Sequence, residues 1–427
     1  MATAARTAIE ERERAVFAAV QEDLHEAAVG DDLAAPGPEE LERARQVIGH
    51  RIAVAERQAA TLGEPRHPDP QGLERRLLDE LFGLGALQPF LDDEAVEEII
   101  VNGPQRVLVI AGGRKRLAEV TFADDQALRR LVRRAIGAQG GRLDETSPMV
   151  DAQLAGGSRL NAVIPPLANA THITIRKFRL RALTLQDLVA LETLTAEAAG
   201  YLDACVRAGL NILISGGTGS GKTTALNALG AAIAGMQERV ITIEETRELR
   251  LDDVLPDCVA LAARAPTVEG AGGVPIRSLV RNALRMRPTR IIVGEVRGDE
   301  ALDMLTAMTS GHDGSMCTLH ASGPREALSK LRIYALMAPQ APPAGVITEM
   351  IAQAIDVVVQ LRLDGRTHHR TVSHVLEVSG LEGDAIAATD LFTLDADGRL
   401  AWTGIRPRRE ARLEAAGYAG PGRGGPA

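Results

Sequence analysis

The chain has 427 residues and a formal net charge of −9, with 45% hydrophobic, 25% charged and only 2% aromatic residues. That length exceeds what one core can organise and predicts two or three domains with aliphatic cores. The acidic balance and the scarcity of rings argue against a protein that coats nucleic acid or stacks its bases.

Cys205, Cys258 and Cys317 form no CxxC pair, so neither a zinc site nor a disulfide framework is expected and a reducing compartment fits. The N-terminal "MATAARTAIEERERAVFAAV" has acids where a signal peptide needs an apolar stretch. No run approaches the roughly 18 apolar residues of a bilayer span. The expectation is a cytoplasmic protein, without membrane insertion of its own, that reaches a membrane only through partners.

In chain order, residues 7–30 place Ile9, Val16, Phe17, Val20, Leu24 and Ala27 at helical spacing, and a second helix restarts after Pro36 and Pro38. "GEPRHPDPQG" breaks the chain at 63–72. Residues 1–72 thus read as a helical extension and linker, either a docking element or a loosely held preamble. Residues 73–180 read as α+β, with a helix over 73–90 and strands "EEIIVNG", "RVLVIAG" and "HITIRKF". On residue type alone, Arg159 in "GGSRLNAVIPP" and Arg176 in "ITIRKF" are solvated strand charges. Helices in "LRALTLQDLVALETL" and "AAGYLDACVRAG" lead to "NILIS", after which "RVITIE", "RIIVGE", "MCTLHA" and "DVVVQL" alternate with helical stretches. That alternation predicts a largely parallel α/β domain over 181–380. Residues 381–427 read as a C-terminal extension of short strand-like runs ending in a disordered tail, "GYAGPGRGGPA".

"NILISGGTGSGKTT" has a buried strand, then Gly216, Gly217, Thr218, Gly219, Ser220, Gly221, Lys222, Thr223 and Thr224, then a helix. This is the complete phosphate-binding loop pattern. Its glycines let backbone N–H groups turn onto phosphate oxygens, and the helix N-terminus adds roughly half an elementary charge. Lys222 suits the β- and γ-phosphates of a nucleoside triphosphate and Thr223 suits magnesium. Hydrolysis also needs carboxylates, and Glu244 with Glu245 in "ITIEETREL" and Glu295 in "RIIVGEVRGDE" follow apolar strands of the same domain. "GHDGSMCTLHAS" adds His312 and His320, which with Cys317 alone are thin support for a metal. The basic run Arg281, Arg285, Arg287 and Arg290 reads as subunit-interface charge ahead of a nucleic-acid patch.

Taken together, "PMVDAQLAGGSRLNAVIPPLA", "ITIRKF", "NILISGGTGSGKTT", "ITIEETRELRL", "RIIVGEVRGDEALDMLTAM" and "SGHDGSMCTLHA" resemble the secretion ATPase superfamily. Those proteins power type II and type IV secretion and type IV pili, and the likeness is nearest to the tight-adherence (Tad/Flp) pilus branch. Over about residues 75 to 380 the segments resemble, in order, the family's arginine strands, Walker A, Asp box, Walker B and His box. The resemblance implies a PAS-like N-terminal domain joined to a RecA-like P-loop ATPase domain, a homo-hexamer, and hydrolysis of ATP with Mg2+. It implies Arg159 and Arg176 as arginines that reach the phosphates, Glu295 as the general base, and Glu244 near magnesium and the attacking water. Thr223, Glu244 and Glu245 would hold the metal, His320 would sense the γ-phosphate, and His312 would be a buried strut or relay. The implied partner is an inner-membrane platform protein of a pilus or secretion machine, which would hold the ATPase peripherally at that membrane; nucleic acid is not expected. Glu245 stands where the family has Asp, and Gln153 stands where this branch has Arg. A conjugative-type translocation ATPase and a nucleotide-binding scaffold with little hydrolysis are the alternatives.

Overall fold

The computed structural model describes residues 2–26, 37–137, 141–154, 157–177, 184–264, 266 and 272–420. The chain divides into two compact units, Met1–Arg179 and Leu180–Ala427.

The first unit opens with helices α1 (Ala2–Glu26), α2 (Pro38–Leu62) and α3 (Pro70–Phe82). One apolar stripe from each meets in a small core: Val16, Val20 and Leu24, then Ala44, Ile48 and Ile52, then Leu73 and Leu77. The linker between α2 and α3 is tied down. Buried His67 places Nε2 2.7 Å from Glu13 Oε1, while its Nδ1 accepts the Asp69 N–H at 3.0 Å. The helix expected over 73–90 is two helices. Asp69 caps α3 through the Gly72 N–H, the Gly83 N–H closes it on Asp79, and α4 (Gln88–Asp92) starts afresh around Pro89, which has no N–H to extend a ladder.

Strands β1 (Val96–Asn102), β2 (Val107–Ala111) and β3 (Arg114–Leu117) precede helix α5 (Asp125–Gly137), and β4 (Met149–Gln153), β5 (Arg159–Val163) and β6 (His172–Arg176) follow it. They form one antiparallel sheet in the order β3-β2-β1-β6-β5-β4. Alternate residues Ile99, Val101, Val107, Val109, Leu160, Ala162, Ile173 and Ile175 share a core with Leu128, Leu131, Val132 and Ile136 of α5. The period of two leaves the opposite face mixed, with Glu98, Arg176 and Arg159 beside Ile100, Leu108 and Ile110. Asp125 of α5 accepts from both the N–H (2.6 Å) and the hydroxyl (3.0 Å) of Thr171, anchoring the start of β6.

The second unit begins with α6 (Leu185–Ala190), α7 (Ala196–Arg207), β7 (Ile212–Gly216), α8 (Lys222–Ala231), β8 (Val240–Glu244) and β9 (Cys258–Ala262). It continues through α9 (Ile276–Ala283), β10 (Arg290–Val293), α10 (Glu300–Thr309), β11 (Met316–His320), α11 (Pro324–Leu336) and α12 (Ala344–Ala354). It closes with β12 (Val357–Leu363), β13 (Arg370–Glu382), β14 (Ala385–Leu394), β15 (Leu400–Trp402) and α13 (Glu410–Ala415). All the strands lie in one sheet, β15-β14-β13-β12-β7-β11-β10-β8-β9. From β12 to β9 it is parallel, with an apolar cluster on each face. The five predicted strands fill this part, joined by β9 at the edge. One strand, β11, separates the strand that enters the phosphate loop from the strand that delivers Glu295, which is the RecA-like order. Strands β13 to β15 extend the same sheet antiparallel, so the residues just past 380 belong to it rather than to a separate extension. Residues 421–427 of the expected Gly/Pro tail lie outside the described residues. Among the described residues, no helix is long and apolar enough to cross a membrane.

Candidate functional site

Parallel strands bring their C-terminal ends to one edge, and β7, β8, β10 and β11 each deliver a candidate residue there. The turn after β7 is held by Gly219 (φ 71°) and Gly221 (φ 96°), conformations that L side chains rarely adopt. Lys222, 8% exposed, donates Nζ to the carbonyls of Gly216 (3.2 Å) and Gly217 (2.9 Å) and lies 3.4 Å from both ring nitrogens of His320. The Ser220 hydroxyl closes the loop on Gly217 O at 2.9 Å. Thr223 and Thr224 stand half-buried in the first turn of α8, where backbone N–H groups and the helix dipole favour an anion. Buried Gln360 of β12 accepts from the Ser215 hydroxyl and donates to Ala321 O at 3.2 Å, tying the strand into the loop to the strand that ends at His320.

Glu244, at the end of β8, is 3% exposed, and its Oε1 accepts the N–H groups of Glu248 (2.9 Å) and Leu249 (3.1 Å). Burial nevertheless pushes its carboxyl up to about 7, against those hydrogen bonds. Glu245, next in the chain, is exposed, with Arg297 Nη1 2.9 Å away. Gly294 explains how Glu244 fits: a Cβ there would lie 2.8 Å from Glu244 Cγ. Glu295 is positioned from both sides, because the Gly294 N–H bonds Ile243 O (2.8 Å) and the Val296 N–H bonds Thr318 O (2.8 Å). Its Oε2 accepts from Arg297 Nη2 at 2.6 Å. Its buried Oε1 lies 2.8 Å from His320 Nε2, an ion-pair distance outside hydrogen-bonding geometry, and has no hydrogen-bond donor among the described residues. Burial, then the Lys222 ammonium, push the His320 imidazole below its ordinary pKa against the pull of Glu295, so the neutral ring is favoured. Lys222, His320 and Glu295 therefore touch in sequence at the sheet edge.

In the first unit, Arg159 and Arg176 are direct cross-strand partners. Register places them in one rank on the face opposite α5: Lys115, Ile110, Glu98, Arg176, Arg159, Gln153. Two cations directly opposed in a sheet are unfavourable unless an anion lies between them. Gln153 stands beside Arg159, so an arginine there would make a third consecutive cation.

The two histidines do not share a site. His312 lies before β11, half-buried rather than buried, with Nδ1 3.1 Å from Ala307 O, at the end of the strand opposite His320. Cys317 between them is buried in the apolar core, and among the described residues no cluster of three His, Cys, Asp or Glu could hold a metal. A magnesium ion needs less, since it keeps waters and phosphate oxygens; the Thr223 hydroxyl in the first turn of α8 and the Glu244 carboxylate at the end of β8 are donors of the type it takes. Of the basic run, Arg281 pairs with Asp303 (2.7 Å) and buried Arg290 with Glu238 (2.7 Å), so these two have acidic partners within the unit. Arg297, which joins Glu245 to Glu295, and Glu300, which accepts the N–H groups of Arg297 (2.6 Å) and Gly298 (2.9 Å), escaped the sequence reading. The alternation in "GEVRGDE" was the available signal for Arg297.

A family model described as "Type II/IV secretion system protein" matches residues 80–393. The chain belongs to the type II/IV secretion system protein family. Within this family, a Mycobacterium tuberculosis protein provisionally named for conjugal transfer is 38% identical over 322 residues, covering 74% of this chain and 90% of its own. The type IV secretion system protein PtlH homolog of Bordetella bronchiseptica is 34% identical over 328 residues, covering 70% and 95%. The solved VirB11 ATPase of the Brucella suis type IV secretion system is 29% identical, covers 70% and 95%, and has a TM-score of 0.37.

Proposed function

We propose that this family member is a motor ATPase that cleaves ATP to ADP and phosphate. The observation that carries the proposal is the contact of Lys222, His320 and Glu295 at the mouth of a complete phosphate loop. The loop residues from Gly216 to Thr224 bind the phosphates, with Lys222 turning from the loop carbonyls to the β- and γ-oxygens. Glu295 takes the proton of the attacking water at Oε1, the oxygen without a donor. Neutral His320 hydrogen-bonds the terminal phosphate and reports its loss. Glu244 braces the loop at 245–249 and sits beside the water. Thr223, Glu244 and Glu245 would hold magnesium, which when bound neutralises phosphate charge. Arg159 and Arg176 bring paired positive charge to the developing anion.

In this proposal the ATPase domain runs from residue 181 through β15 of the same sheet, residues 73–180 are the arginine-bearing domain and 1–72 a docking extension. Six copies form the homo-hexamer, working peripherally at the inner membrane on a platform protein for pilus assembly of the tight-adherence type. The deciding experiment is phosphate release by purified protein with magnesium and ATP, compared with Lys222→Ala. Release equal to that of the variant removes the proposal, and tight ATP binding without turnover leaves the scaffold reading.

The conjugal-transfer name of the mycobacterial relative favours a second reading, translocation of DNA. That motor is stimulated by DNA; a flat response across a DNA titration discards it.

A further inference from the structure

The phosphate loop is held from outside by the hairpin between β12 and β13. Leu361 and Leu363 lie with side-chain carbons 3.7 and 3.8 Å from where a Cβ would stand on Gly221 and Gly219. Arg370, the first residue of β13 and the register partner of Leu363, crosses the loop itself. Its Nε donates to Gly219 O at 2.9 Å, and its Cδ lies 3.4 Å from the Cβ position of Gly221.

The arginine is carried on a built mount. Asp364 accepts the N–H groups of Thr367 (2.7 Å) and Arg366 (2.9 Å), bonds that pull its carboxyl down to about 2. Its own N–H closes the turn on His369 O at 2.9 Å. The His369 ring contacts the Thr371 hydroxyl (2.9 Å) and Leu191 O (3.3 Å), so the turn is fastened at both ends.

Inside the loop, Gly217 O gathers the Lys222 ammonium, the Ser220 hydroxyl and, at 3.4 Å, the Ser220 N–H. Outside, Arg370 holds the carbonyl of Gly219, two residues further on. Because the peptide unit is planar and trans, fixing the Gly219 carbonyl fixes the direction of the Ser220 N–H on its far side. Ordering a backbone residue costs conformational entropy, and glycines cost the most. A brace on the glycine-rich turn therefore prepays part of the ordering that phosphate binding would otherwise require.

Resting on the ATPase reading above, we propose that Arg370 is a positioning residue that presets the phosphate loop through Gly219 and so determines nucleotide affinity rather than turnover. The test is ATP and ADP binding, together with kcat and KM, for the full-length wild type, Arg370→Ala, Arg370→Lys and Arg366→Ala. Arg366 is an equally exposed cation of the same turn that makes no bond to the loop in this structure. Arg370→Ala is expected to raise Kd for both nucleotides and KM for ATP about tenfold, the weight of one hydrogen bond from a charged donor, with kcat within about twofold. Arg370→Lys keeps the charge but puts a methylene where Nε–H stands, so it follows Arg370→Ala. Arg366→Ala binds as wild type does. Unchanged affinity in both Arg370 variants overturns the inference, as does an equal loss in Arg366→Ala, which would make the effect one of net charge. Wild-type protein that binds no more ATP than Lys222→Ala would instead sink the ATPase reading and the inference with it.

Discussion

The two sheets present chemistry in opposite ways. In the parallel part of the second unit both faces are buried, so its functional side chains sit at strand ends: Glu244 closes β8, Glu295 lies just past β10 and His320 closes β11. In the antiparallel sheet of the first unit, α5 covers one face and the arginines stand on the other. There the candidate residues lie across the strands, and Arg176 meets Arg159 by register. A site made of strand ends depends on what stops each strand. A site made of a rank depends on pairing, and a one-residue slip of either strand would turn its arginine into the core.

The largest effect is expected in the rank. Arg176→Ala should lower ATP turnover about a thousandfold, the weight of an arginine that stabilises phosphoryl-transfer charge, with folding intact by circular dichroism. Loss of folding with that variant would instead make Arg176 part of the frame. The strand-end site is sharpened by Gly294→Ala. Its Cβ would stand 2.8 Å from Glu244 Cγ, so the variant should lose about 1–3 kcal/mol of stability in urea unfolding and most of its turnover. Full activity would show that the placement of Glu244 does not matter.

Much of the second unit was legible because buried parallel strands are unbroken apolar runs, and because Gly216 to Thr223 has a spacing that few other structures need. What was missed lacks a local signal. β3 is "RKRL", exposed throughout and a strand only through its pairing with β2; β9, "CVALA", is half-buried at the edge. The opposition of Arg159 and Arg176 is fixed by register between strands, and the grip of Arg370 on Gly219 joins segments far apart in the chain. The expected helix over 73–90 failed at Gly83 and Pro89, both visible in the sequence but outweighed by its periodicity.

A smaller effect belongs to the anchor of the rank. Burial would raise the Asp125 carboxyl, but hydrogen bonds from Thr171 and Arg129 outweigh it and hold the group below its usual range. A depressed acid adds stability that is full above its unfolded pKa of about 3.9 and is lost as pH falls through the folded value. Asp125→Asn should therefore cost about 1 kcal/mol at pH 7, with the gap from wild type shrinking below pH 4. A gap that does not change with pH would mean that the charge of Asp125 plays no part.

The central claim is that the strand-end site hydrolyses ATP with Glu295 as base. The most direct measurement is single-turnover phosphate release by Glu295→Gln beside ATP affinity. The account predicts wild-type affinity with release at least about a hundredfold slower. Release at the wild-type rate would contradict it.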